Sequence, residues 1–288
     1  MAIVKPGTPI AVIAPSGIFD QERFERGLAI AADFGHKLVP VDDILAPHRY
    51  LAGPDAHRLG QLVHALRSDA YGAVWAARGG YGLTRVIDDL PPDLPAKPII
   101  GFSDLTALFC ALPHHPHVHG PVVHSLDLHD ERSLQHLFDL LAGRPTAPLS
   151  GEVWVEGEAA GRLVGGNLSM LAAVCGTRHQ LDARGAILVL EEVGEAAYRV
   201  DRLLTQLRSA GVFEGVHGIA LGTFHKCAVP PGADWTLRDV LRDELARLDV
   251  PVLAGLPIGH AAENCAFVWG TPARIADGTL RWDPPLLG

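Results

Sequence analysis

A serine, a histidine and a carboxylate are the residue types that cut acyl bonds by nucleophilic attack, and this chain offers one plausible set. Ser103 stands in Gly101-Phe102-Ser103-Asp104-Leu105, between an apolar run ending at Gly101 and a helix-like pattern beginning after the serine. A strand–turn–helix elbow of this kind is where α/β hydrolases hold a nucleophile, although the usual G-x-S-x-G ends in glycine and this pentapeptide ends in Leu105. The amide of Asp104 would then lie at a helix N-terminus, where partial positive charge suits an oxyanion. The same position also suits a serine that merely caps the helix. For the other two roles, Glu191 and Glu192 close the apolar run Ala186-Ile187-Leu188-Val189-Leu190, and His260 follows Pro257-Ile258-Gly259. Taken singly, these are also an acid flanking a helix and an exposed loop histidine.

The glycine-rich stretch Arg78-Gly79-Gly80-Tyr81-Gly82 follows another apolar run. Adjacent glycines let backbone N–H groups approach a ligand closely, and they equally well make a tight strand-to-helix turn. The dinucleotide fingerprint lacks its third glycine here and no G-K-[ST] follows, which counts against a nucleotide cradle. The chain has 15 histidines, several of them crowded into His114-His115-Pro116-His117-Val118-His119. Without the H-E-x-x-H spacing, that segment reads as a polar loop rather than a metal site. Cys110, Cys175, Cys227 and Cys265 form no C-x-x-C pair, so they read as small buried hydrophobes.

These residues need elements to position them. Pro9–Pro15, 37–41, 73–77 and the run before Gly101 read as strands buried on both faces of a parallel sheet. Helical patterns lie between them: one through Phe24, Leu28 and Ala31 to Gly35, one over 57–66 with Leu59, Leu62, Val63 and Leu66 as its apolar side, and a short one through Val86-Ile87. The alternation predicts a doubly wound α/β sheet, whose ligands bind beyond the carboxyl ends of the strands. The loops at Ser16, 78–82 and Ser103 can share that edge. The stretch 143–160, rich in proline, glycine and small residues, reads as a linker between a domain over 1–142 and one over 161–288. In the second domain, strands are expected at 153–156, 161–164 (then a turn at Gly165-Gly166-Asn167), 186–190, 218–222, 252–256 and 266–269. Helices are expected over 198–210 and 237–248, with a closing hairpin at 273–278.

The chain of 288 residues carries a net charge of −9 with no block of like charge, which gives nucleic acid no electrostatic footprint. The first residues are too short and interrupted for a secretory apolar region, and no apolar run approaches the ~20 residues that span a bilayer. A soluble, cytoplasmic protein is expected, with no cofactor.

The blocks Arg78-Gly79-Gly80-Tyr81-Gly82-x-x-Arg85, Gly101 to Leu108, His119-Gly120-Pro121, Gly165-Gly166-Asn167-Leu168, Leu190-Glu191-Glu192 with Tyr198-Arg199-Val200-Asp201-Arg202, and Pro257-Ile258-Gly259-His260 occur in that order. Together they resemble the LD-carboxypeptidase family, serine peptidases of the S66 type. The resemblance implies an N-terminal Rossmann-like domain, a C-terminal domain of β-barrel-like character, and a Ser-His-Glu triad with no metal. Carried onto matching positions, Ser103 is the nucleophile, His260 the base and Glu191 the orienting acid, with Glu192 standing where the family commonly has Asp. Backbone N–H groups of Gly80 and Asp104 would form the oxyanion hole. Arg78, Tyr81 and Arg85 are candidates to contact substrate, an arginine holding its terminal carboxylate bidentately. The implied activity is release of terminal D-alanine from cytoplasmic muropeptide tetrapeptides in peptidoglycan recycling, by a homodimer. The alternative is a relative of the microcin C self-immunity peptidases, which cut an aminoacyl–nucleotide analogue. Those tend to be longer and carry an aromatic-bearing insertion for the base, of which there is no sign between Leu168 and Ala186. A non-enzymatic metabolite-binding protein on the same sheet is a third reading, disfavoured by the imperfect glycine fingerprint.

Overall fold

The computed structural model describes residues 2–282; Met1 and the end of the expected second domain, 283–288, lie outside the described residues. The chain forms two compact units, each with its own sheet. Unit 1 holds residues 2–146 together with Cys265–Val268, and unit 2 holds Ala147–Asn264 and resumes at Trp269.

In unit 1, strand and helix alternate as the apolar runs require: β1 (Ile10–Ile13), α1 (Gln21–Asp33), β2 (Leu38–Pro40), α2 (Asp55–Arg67), β3 (Ala73–Ala76), β4 (Ile99–Gly101), α3 (Leu105–Ala111), β5 (His117–His119) and α4 (Glu131–Leu141). The first five strands pair in parallel in the order β2-β1-β3-β4-β5, a Rossmann-like sheet. β1, β3 and β4 are buried along their whole length, which is why each reads as unbroken apolar sequence rather than as alternation. Parallel strands point the same way, so the loops after β1, β3 and β4 leave from one edge of the sheet. The short helix expected through Val86-Ile87 is instead two 3-10 turns, Leu83–Arg85 and Ile87–Asp89.

Unit 2 contains β6 (Leu149–Ser150), β7 (Glu152–Val155), β8 (Ala159–Asn167), α5 (Leu168–Ala173), β9 (Ala186–Val193), α6 (Ala197–Ser209), β10 (Gly218–His225), α7 (Leu237–Leu245) and β11 (Val252–Ala254), and later β13 (Pro272–Ala276) and β14 (Thr279–Trp282). β12 (Phe267–Trp269) belongs to the first sheet, at the edge beside β5. The second sheet runs β6-β14-β13-β8-β9-β10-β11-β7. Its end strands β6 and β7 are consecutive in the chain and only Gly151 separates them. One residue spans at most ~3.6 Å, so the sheet must curl until its ends meet, which gives unit 2 its barrel-like character. The Gly151 N–H extends the β6–β14 ladder by donating to the Gly278 carbonyl at 3.0 Å.

The strand expected over 266–269 of the second domain is this β12, which completes the first sheet instead, and four further expectations need correction. Residues 143–160 are not a linker: their composition marks the end of unit 1 at Thr146, but the chain enters the second sheet at Leu149. Gly165-Gly166-Asn167 is not a turn, because β8 stays in register with β9 through to Asn167 opposite Glu191, and the ladder overrides the local glycine signal. The histidine-rich segment is a loop only over 114–116: His117 and His119 are fully buried in β5. The His117 ring stacks on Phe109 at 4.3 Å between centroids, and burial pushes its pKa down to about 3, so it is neutral and packs as an aromatic. Finally, the buried face of α2 includes Arg58 and Gln61 beside Leu62, Ala65 and Leu66, while Leu59 and Val63 are only half-buried. No helix among the described residues is long and apolar enough to cross a membrane.

Candidate functional site

The loops after β1, β3 and β4 bring Ser16, the Arg78–Gly82 stretch and Ser103 to the carboxyl edge of the unit 1 sheet. Ser103 is half-buried and has φ of 63°, a left-handed conformation that side chains other than glycine adopt at a cost. It is not the N-cap of α3; that place is held by Asp104. The glycine loop lies against the serine: a Cβ built on Gly79 would sit 3.1 Å from the Ser103 Cβ and 3.4 Å from its Oγ.

The sequence points to Asp104 only for its amide, yet its side chain organises this edge. The carboxylate is fully buried and accepts from Ser16 Oγ at 2.7 Å and from the Leu83 amide at 3.0 Å. Burial pushes its pKa up, while those hydrogen bonds and the charge of Arg58 pull the other way. Of the two candidate arginines, Arg85 is engaged bidentately with Asp55, its Nε lying 2.9 and 3.0 Å from the two carboxylate oxygens. That bond, before any other influence, holds the Asp55 pKa at about 2. Arg78 donates from one Nη to the Ile18 carbonyl. Tyr81 is exposed, and its ring centroid lies 5.9 Å from that of Tyr50, also exposed.

In unit 2, β9 carries both acidic candidates, and the alternation of a strand sends them to opposite faces. Glu191 is fully buried, and its Oε2 lies 2.7 Å from His260 Nδ1. A carboxylate only accepts, so Nδ1 carries the hydrogen and the lone pair of the neutral ring sits on Nε2. Burial alone would depress the His260 pKa; the Glu191 charge and hydrogen bond, helped by Glu192, outweigh it and hold the pKa above its ordinary value. Glu192 does not touch the imidazole. It accepts from Asn167 Nδ2 at 3.1 Å, Ser169 N at 2.8 Å and Ser169 Oγ at 2.6 Å, tying β9 to the start of α5.

The His260 loop is set by Gly259, quoted in its motif, and by Asn264, which has no sequence signal of its own. Gly259 has φ of 123°, and a Cβ there would fall 2.7 Å from both Glu191 Oε2 and Thr223 Oγ1, so only glycine lets the loop close on the carboxylate. Asn264, fully buried, accepts the Gly259 N–H at 3.1 Å. Among the described residues, no group of three or more His, Cys, Asp or Glu side chains is arranged to hold a metal ion.

Two family models match the chain: the LD-carboxypeptidase N-terminal domain over residues 10–120 and the LD-carboxypeptidase C-terminal domain over residues 160–275. The murein tetrapeptide carboxypeptidase of Pseudomonas aeruginosa is 35% identical over 294 residues, covering 95% of this chain and 94% of its own. The crystal structure of muramoyltetrapeptide carboxypeptidase from Oxalobacter formigenes superposes with a TM-score of 0.80 at 29% identity, covering 95% of this chain and 97% of that one. MccF in complex with glutamyl sulfamoyl guanosine superposes with a TM-score of 0.88 at 21% identity, over 100% and 99% of the two chains, a likeness of fold.

Proposed function

The chain belongs to the LD-carboxypeptidase family, and from that membership we propose that it cleaves the L–D peptide bond of muropeptide tetrapeptides and releases terminal D-alanine. It is a carboxypeptidase, a hydrolase. In the proposed mechanism Ser103 Oγ attacks the scissile carbonyl carbon while its proton passes to His260 Nε2. Glu191 holds the Nδ1–H and stabilises the imidazolium. The carbonyl oxygen becomes an oxyanion held by the N–H groups of Gly80 and Asp104. Collapse of this intermediate breaks the C–N bond, and the D-alanine amine leaves with the proton from His260. Water, deprotonated by the same imidazole, then hydrolyses the ester on Ser103. Arg78 would receive the carboxylate of the departing residue, because Arg85 is committed to Asp55.

The observation that carries this reading is the His260–Glu191 pair at 2.7 Å, with the carboxylate fully buried behind the ring. A solvent-facing loop histidine has no need of such a partner. The test is incubation with a muropeptide tetrapeptide and detection of D-alanine by mass spectrometry. Release by the wild type and none by Ser103→Ala is expected. No release by the wild type, or equal release by the variant, rejects the reading. Faster turnover of an aminoacyl sulfamoyl nucleotide would instead assign the microcin-type activity. The reading also implies a cytoplasmic homodimer, testable by cell fractionation and by light scattering.

A further inference from the structure

The most deeply buried cation near the Ser103 edge has no part in the mechanism above. Arg58, on α2, has a side chain with 0% exposure. Its Nε donates to the Gly53 carbonyl at 3.1 Å and its Nη1 to the Gly82 carbonyl at 3.0 Å. Nη1 also donates to the Pro15 carbonyl, and Nη2 pairs with Asp55. One guanidinium therefore gathers the loop after β1, the loop before α2 and the glycine loop after β3. The Gly82–Leu83 peptide is the point of interest. Its C=O accepts from Arg58, and its N–H donates to Asp104 Oδ2 at 3.0 Å. A single peptide group is thus gripped at both ends by buried side chains, a guanidinium and a carboxyl group, and the carboxyl belongs to the residue that follows Ser103.

We infer that Arg58 is a positioning residue for catalysis: with Asp104 it clamps the Gly82–Leu83 peptide and so fixes the glycine loop, and the Gly80 N–H within it, beside Ser103. The inference rests on the reading of that N–H as an oxyanion donor. A buried guanidinium is expensive to desolvate, and an apolar side chain of similar volume would serve packing alone as well or better. An apolar chain cannot satisfy carbonyls from three loops at once, and lysine, a point charge without the planar fork, reaches them incompletely. Gly82 is fitted to the clamp: its φ is 143°, and a Cβ there would lie 2.7 Å from Arg58 Nη1. Asp55 extends the device outward, since it pairs with Arg58 on one side and with Arg85 on the other. Loops with this glycine content are loose unless tied, and an oxyanion donor is useful only when already in place.

The test compares Arg58→Lys, Arg58→Met and Asp55→Asn with the full-length wild type. Amide hydrogen exchange is followed over residues 77–85, with the rate of Ser103 labelling by a small fluorophosphonate, and kcat and KM on the tetrapeptide. Loss of a whole oxyanion donor costs ~10²–10³ in kcat, so a loosened one should cost about 10–100-fold. The clamp predicts faster exchange at 79–83, slower labelling and lower kcat with KM nearly unchanged, in the order Met worst, then Lys, then Asn at 55. Unchanged exchange over 79–83 overturns it. So does a lowered melting temperature with wild-type labelling per folded molecule, which is the signature of a merely structural arginine. If both Arg58 variants fail to fold, Asp55→Asn decides by the same two readouts. A wild type that neither releases D-alanine nor takes up label defeats the functional reading instead, and the exchange measurement then judges the clamp alone.

Discussion

Ser103 and His260 owe their orientation to different forces. The serine sits where the backbone turns left-handed, between a strand buried on both faces and a helix whose first residues are wholly buried. Its geometry is imposed by covalent constraints and by the clamp behind the glycine loop. The histidine stands on an irregular loop, and a hydrogen bond to the Glu191 carboxylate on a neighbouring strand orients its ring and sets its tautomer. A nucleophile needs a fixed direction of approach, which strain can supply. A base must change charge during the reaction, which requires a neighbouring charge rather than strain. The first arrangement should therefore respond chiefly to backbone changes; the second should also respond to pH and to the neighbouring charge.

The predictions press on that contrast. Ser103→Ala should lower kcat by at least ~10⁴-fold while leaving the melting temperature near that of the wild type, because triad members act as a unit. Glu191→Gln should cost ~10²–10⁴-fold, by loss of the charge that keeps the correct tautomer. It should also move the acid limb of the kcat/KM profile to lower pH. The sign follows from the causes: Glu191 holds the His260 pKa above its ordinary value of 6.5 against burial, so removing the charge lets burial lower it. In the wild type that limb lies above pH 6.5, since the base must be neutral. A limb that stays put in the variant would show that the charge pair does not govern the base.

Acid should weaken the fold through unit 1. The native His117 pKa is about 3, against 6.5 unfolded. Between those values the unfolded chain holds one more proton, so stability rises with pH across the window and is lost as pH falls through it. The slope is about 1.4 kcal/mol per pH unit. Urea midpoints measured from pH 7 to pH 4 should fall accordingly, and His117→Asn should flatten the dependence. The smallest effect is the most pointed. Ser103→Gly relieves a left-handed conformation that costs about 1 kcal/mol, partly offset by the freedom glycine gains when unfolded, so an inactive variant should be as stable as the wild type or slightly more so. Gly259→Ala, which drives a methyl into the Glu191 carboxylate, should lower both melting temperature and kcat.

Much of the frame was legible because burial on both faces writes itself as unbroken apolar runs, as at β1, β3 and β9. The elbow was legible because Gly101 and Ser103 punctuate two strong periods. What escaped were residues whose environment overrides their type. His117 and His119 look polar until a stacked aromatic and a neutral ring make them core. Arg58 stands four and eight residues before Leu62 and Leu66, a spacing that puts it on their buried face, but its residue type argues for solvent and its carbonyl partners are loops that carry no pattern. Of the two adjacent acids, alternation along β9 guarantees that only one can face His260; which one depends on the strand's register with β8, a property of the fold and not of the local sequence.

The sixth strand of the first sheet comes from residues 267–269, far along the chain. Phe267 stacks on His119 at 4.8 Å, and His136 donates to the Ala266 carbonyl at 2.9 Å. During synthesis, the unit bearing Ser103 must therefore wait, with the rim of β5 unpaired, until the chain has been made past residue 269. A fragment ending near residue 146 would carry that rim permanently, as an open template for a stray strand. The late segment thereby makes the serine-bearing unit whole only in chains that already carry most of the second unit.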